Sequence, residues 1–178
     1  MSLLKYINKP YEDKFDLHDQ INYCLGKTEN AIYDYASFGV NHLNAETICN
    51  SMIHTKKLFN KEEGKQFYHF IISIHPKRKI LLENKLTYAS FILNDVGLKI
   101  EKIGFQCLGI IHVGFIENLF NKGIIDYEEN VHIHFVVNSV SFIDGHKLVR
   151  IYTLLNSIIV FLKSDYPYLN WDSKIYVK

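Results

Sequence analysis

Hydrophobic positions along the chain recur with two periods, and the switch between them separates helices from strands. Leu17, Ile21, Cys24 and Leu25 form one stripe at a 3.6-residue repeat, which predicts a helix capped at Asp16 and closed by Gly26. Tyr23 falls roughly opposite that stripe and is expected to face away from the packed side. A second helix is predicted from Asn44 as cap through Ile48, Met52 and Phe59. A third runs from about Leu81 to Val96 with Gly97 after it, and a last from roughly Lys147 to Lys163. Tyr68–His75, Phe105–Val113 and Val131–Val140 are dense in β-branched and aromatic residues and read as strands, with a short one at Lys174–Val177. Strands interleaved with helices, and one strand pair with no clear helix between them, predict an α+β domain rather than a doubly wound sheet. No repeat, low-complexity tract or linker breaks the pattern, so residues 1–178 are expected to form a single domain.

Strand alternation makes Val131–Asn138 the most informative segment. His132, His134, Val136 and Asn138 share one face, while Ile133, Phe135 and Val137 point the other way, toward a core. The preceding predicted strand ends at Ile110-Ile111-His112-Val113, and antiparallel pairing would bring His112 beside His132 and His134. Three neutral imidazoles converging on one sheet face make a ready divalent-metal site, although an H-x-H in a strand also arises as two half-buried histidines with no ion. The connection Gly114–Asn130 is long for a hairpin. It is either a substrate-facing loop or one that undoes the pairing, and its acids Asp126, Glu128 and Glu129 read as a solvated stretch. His69, Ser73 and His75 share a face of the first strand and read as structural residues.

Charge narrows the picture. Twenty basic and nineteen acidic groups give a net charge of +1, so no global positive field argues for nucleic acid. Only Arg78 and Arg150 are arginines. The densest basic cluster is Lys77-Arg78-Lys79, a candidate phosphate contact that Lys56, Lys57, Lys61 and Lys65 would extend. Cys24, Cys49 and Cys107 sit far apart with no C-x-x-C pair, which suits a reducing compartment and excludes a disulfide framework. The start lacks a signal peptide's apolar run, and Ile151–Leu162 is too short to span a bilayer, so a cytoplasmic protein without membrane insertion is expected. Walker loops, G-x-G-x-x-G, G-x-S-x-G and H-E-x-x-H do not occur.

The order of the segments is itself informative. Ile21-Asn22-Tyr23 comes first, then Tyr68-His69-Phe70-Ile71-Ile72-Ser73, then Gly104-Phe105-Gln106-Cys107 opening the strand that ends in His112. Last comes His132-Ile133-His134-Phe135-Val136-Val137-Asn138, leading into Asp144-Gly145-His146-Lys147. From about Ile21 to Leu148 this series resembles the relaxase/mobilisation nuclease family, the MobA/MobL-like branch of the HUH endonucleases. The resemblance implies a central antiparallel sheet flanked by helices, with the histidines on a sheet face. It implies an enzyme that nicks and rejoins single-stranded or locally melted DNA at an origin of transfer through a phosphotyrosine intermediate. By the same resemblance Tyr23 is the nucleophile and His112, His132 and His134 hold a divalent metal, manganese or magnesium first, with zinc, cobalt or nickel compatible with imidazole. Accessory mobilisation proteins are the implied partners.

The chain departs from the family pattern in three places. Nineteen residues, Val113 to Val131, separate His112 from His132, Gly114 stands where the family tends to have an acid, and Ser73-Ile74 replaces Ser-Phe. Two other readings follow. One is a relaxase-like protein that binds DNA or a partner without cutting it; the other is a replication initiator of the HUH class, whose nucleophile would follow the histidines, at Tyr152, Tyr166 or Tyr168.

Overall fold

The computed structural model describes the chain except residues 27–30, 42–43, 77–79 and 120–124, and, for residues 14, 31, 115–119 and 125–129, the backbone alone. Its elements are β1 (Ser2–Ile7), α1 (Lys14–Gly26), β2 (Ala31–Phe38), α2 (Ala45–Leu58), β3 (Phe67–Ile74), α3 (Leu82–Lys102), β4 (Phe105–Leu119), β5 (Ile125–Ser141), α4 (Ile151–Asp165), a 3-10 turn at Pro167–Leu169, and β6 (Trp171–Val177). The strands form one sheet in the order β2-β4-β5-β3-β1-β6. Neighbours are antiparallel except β1 and β6, which are parallel. This is the α+β arrangement that the sequence predicts, with the histidine strands β4 and β5 inside the sheet and paired to each other.

Alternation sorts the sheet's side chains onto two cores. Phe70, Ile72, Ile111, Ile133, Phe135 and Val137 face α3 and α4 together with Leu93, Val96, Leu155 and Ile158. Phe67, Leu108, Ile110 and Val136 face α1 and α2, meeting Leu17, Ile21, Cys24, Ile48 and Met52. Both faces are therefore packed, and the polar side chains at the middle of the second one, among them His69, His112, His132, His134 and Asn138, are buried.

Several boundaries differ from the expected ones for local physical reasons. Helix α1 starts at Lys14 because Asp13 takes the N-cap role: its carboxylate accepts the Phe15 N–H at 2.9 Å, and Asp16 accepts the Asp13 N–H at 3.0 Å. Gly26 is the last helical residue rather than the one after it. Asn44 caps α2 as expected, in a reciprocal box with Thr47. Helix α3 runs straight through Gly97, which is a packing residue: a Cβ there would lie 2.1 Å from Cε2 of Phe38. Helix α4 begins four residues after Lys147, which instead bridges Val140. The strands β1 and β2 were not expected.

The described residues of the long connection after His112 are strand and do not disrupt the pairing. Strands β4 and β5 stay paired beyond the histidines, from Gly114↔Asn130 out to Leu119↔Ile125, as a two-stranded ribbon. Asp126, Glu128 and Glu129 are thus strand residues. Among the described residues no helix is long and apolar enough to cross a membrane, and the three cysteines are buried and unbridged.

Candidate active site

The register of three strands builds the site. His112 on β4 lies directly opposite His132 on β5, and Ile110 opposite His134, so His112 is the direct neighbour of one histidine and the diagonal neighbour of the other. All three project onto the α1/α2 face with Ile110 and Val136. Their ring centroids are 5.5 Å (His112–His132), 4.7 Å (His112–His134) and 5.1 Å (His132–His134) apart. One nitrogen from each can be chosen so that all three lie within 4.8 Å of one another.

Helix α1 closes the site. The His112 Nε2–H donates to the Cys24 carbonyl at 2.8 Å, since a carbonyl can only accept. The neutral ring then carries its lone pair on Nδ1, which is buried and has no partner. His132 makes a backbone hydrogen bond at Asn130, and its Nδ1 is likewise buried and unpartnered. Buried polar atoms are ordinarily satisfied, so two orphan ring nitrogens on facing histidines fit a ligand that accepts lone pairs, a metal ion. The hydrogen bond from His112 to Cys24 is of the kind that orients metal-binding imidazoles in general.

Electrostatics agree with neutral, lone-pair-bearing rings. Burial, reinforced by the neighbouring imidazoles, pulls His132 down to about 4 and His134 down to about 2. Burial also lowers His112, opposed by its bond to the Cys24 carbonyl.

A fourth imidazole belongs to the cluster. His69, read as structural, places Nε2 2.9 Å from His134 Nδ1, with the two rings stacked at 5.1 Å. Its strand explains why: β3 pairs Ile71 with His134, so His69 is the diagonal neighbour on the same face. The H-x-H spacing advertises its own strand only; finding His69 requires the β3–β5 register. Asn138, further along the same face, is wholly buried and donates to the Met52 carbonyl at 3.1 Å and Gln106 Oε1 at 2.8 Å, fastening α2 to the sheet.

Tyr23 is on the last turns of α1, one residue before the Cys24 carbonyl that His112 contacts, and its side chain is 55% exposed, off the buried stripe of Leu17, Ile21 and Cys24. Among the described residues no hydrogen bond or ring contact ties it to the histidines. The initiator-type tyrosines are placed differently. Tyr152 packs edge-on against Tyr6, and Tyr166 donates to Asp95; both contacts lie on the α3/α4 face, across the sheet from the imidazoles. Lys77, Arg78 and Lys79 lie outside the described residues. Lys56 is a correction: it is 2% exposed, donates to Gln66 Oε1 at 3.1 Å, and is held down to about 8 by burial, so it does not extend a surface patch.

A mixed sheet with an imidazole cluster between two inner strands and a tyrosine-bearing helix is the arrangement of an HUH-endonuclease-like domain. Residues 23–156 match the family described as relaxase, MobA/VirD2-like, nuclease domain, and the chain belongs to that family. No curated protein and no solved structure matches it. Family membership brings the general chemistry with it, a relaxase-type nicking of single-stranded DNA.

Proposed function

We propose that the chain is a single-domain, metal-dependent relaxase that cuts and reseals one DNA strand at an origin of transfer through a phosphotyrosine at Tyr23, with His112, His132 and His134 as the metal ligands. The observation that carries this reading is the pair of orphan Nδ1 atoms on His112 and His132, beside His134 and beneath the helix that bears Tyr23. A divalent ion held by His112, His132 and His134 would supply Lewis acidity to the scissile phosphate.

The chain's own residues do the rest. The Tyr23 phenol must give up its proton to attack. Its oxygen forms a bond to phosphorus as the bond to the 3′ oxygen breaks, giving a free 3′-hydroxyl and a 5′-phosphate on the enzyme. Because the phosphodiester energy is kept in that linkage, a later 3′-hydroxyl can reverse the step and reseal the strand. The exposed position of Tyr23 supports the reading, since a nucleophile for a polymer must be reachable from outside. Imidazole ligands favour manganese, zinc, cobalt or nickel over magnesium by softness. With a net charge of +1, affinity for DNA is expected to rest on local lysines and on stacking; exposed Tyr33 on the edge strand β2 is one available surface. Cytoplasmic location and accessory mobilisation proteins complete the proposal.

The test is a denaturing gel of wild type and Tyr23→Phe mixed with manganese and labelled single-stranded origin-region DNA. A denaturation-resistant adduct in wild type and none in the variant is the expected result. An adduct that survives in Tyr23→Phe moves the nucleophile to another tyrosine. DNA binding without any adduct would favour a relaxase-like protein that does not cut.

A further inference from the structure

The fourth imidazole, His69, has no part in the chemistry above, yet it is 5% exposed and bonded to a proposed ligand. A hydrogen bond between two neutral imidazoles needs the hydrogen on one of the two facing nitrogens, and the choice fixes both rings. If His69 Nε2 carries it, His134 Nδ1 is the acceptor and the His134 hydrogen sits on Nε2, leaving no lone pair for an ion. If His134 Nδ1 carries it, His134 Nε2 has a free lone pair and the His69 hydrogen moves to Nδ1. For His112 the Cys24 carbonyl settles the matter, because it can only accept. His69 can do either, and its other nitrogen, Nδ1, is buried and unpartnered whichever is chosen. Its surroundings therefore do not decide between the two states, and a bound ion does.

We propose that His69 is a positioning residue that accepts the Nδ1–H of His134 and thereby holds His134 in the tautomer whose Nε2 can bind metal. The proposal rests on the three-histidine reading of the site. In the state that binds the ion both hydrogens sit on Nδ1, of His134 and of His69, and the pair reaches it from the alternative tautomer with no net proton taken up or released. Removing the acceptor leaves the His134 Nδ1–H buried without a partner in the ligating state, which penalises that state selectively.

Zinc, being diamagnetic, is the probe. Long-range proton–nitrogen NMR of the imidazoles in the intact protein is expected to show, on loading, one zinc per chain, His134 as the Nδ1–H tautomer, and His69 with its hydrogen on Nδ1. His69→Phe is expected to lower zinc affinity by roughly 10- to 100-fold with the fold intact by circular dichroism. His69→Gln, whose side-chain oxygen can accept the same hydrogen, is expected to restore most of it. Wild-type zinc affinity in His69→Phe overturns the proposal while leaving the three-histidine site standing. So does a loaded spectrum with hydrogen on His134 Nε2, read on wild type even if the Phe variant does not fold. Zinc that is lost on Cys24→Ser overturns it in another way, assigning the ion to Cys24, His69 and His134, whose ligand atoms also lie within 4.8 Å of one another. No zinc binding by wild type removes both this proposal and the metal reading.

Discussion

Four imidazoles buried between a sheet and a helix are tolerated only uncharged. Burial is the main cause in each: it brings His69 and His132 down to about 4 and His134 to about 2, and lowers His112 as well. The unfolded chain titrates these groups near 6.5, so below that pH it binds more protons than the folded one. Stability is therefore complete above pH 6.5 and is lost as the pH falls from 6.5 toward 4, each such histidine removing about 1.4 kcal/mol per pH unit across its window. Urea titrations of the metal-free protein at pH 8.5, 7.5, 6.0 and 5.0 are expected to show a midpoint that is steady between the first two and falls at each of the others. A flat profile would mean that the rings are not buried neutral. At this scale Tyr23 was legible from the sequence, because its position off the apolar stripe is a matter of helical period. His69 was not, because its role depends on a residue 65 positions away.

Among the elements, glycine and asparagine show how the same residue type can carry opposite meanings. Asn44 at the head of α2 was legible, since a capping residue followed by a 3.6-residue stripe is a local signal. Asn44→Ala is expected to cost about 1 kcal/mol in a thermal or urea melt, by leaving the Thr47 N–H without its side-chain acceptor. Gly97 reads as a helix stop, and nothing nearby in the sequence reveals that the ring of Phe38 fills the space over it. Alanine normally strengthens a helix at the expense of glycine. Gly97→Ala is expected to weaken this protein by about 1–3 kcal/mol, because the added methyl overlaps a buried aromatic ring. A stabilised Gly97→Ala variant in the same melt would show that Phe38 moves aside freely. The edge strand β2 escaped notice for a related reason. Ile32, Tyr33 and Tyr35 are exposed there, so the burial that imprints a hydrophobic pattern on inner strands is weak.

For the molecule as a whole, the α+β class and the convergence of His112, His132 and His134 were legible, because alternation assigns faces and the family pattern supplies the partners. The sheet order was not, since β1 joins β3 to the terminal strand β6 through pairings with no local signature. Nor was the ribbon, whose length in sequence resembles a loop. Its pairing continues outward from Gly114↔Asn130, beyond the histidine row. Replacing residues 116–128 with a tight turn is therefore expected to leave zinc affinity within about threefold of the full chain, since the His112↔His132 register lies inside the cut. Calorimetric titration of the shortened protein checks this, and loss of zinc binding would make the ribbon part of the site's support.

That ribbon also changes what distance along the chain means at this site. The gap between the first histidine and the H-x-H pair is taken up largely by two arms that run as paired strands out to Leu119↔Ile125. Each residue added to one arm can be matched by one on the other, and the imidazoles stay where they were. Spacing in this motif is consequently a free dimension, and register is the conserved quantity of the geometry. A shorter ribbon with the same register would hold these histidines at the same separations. The paired arms beyond Gly114↔Asn130 are then the natural place to graft a tag, a fluorophore or a second binding module without moving the chemistry.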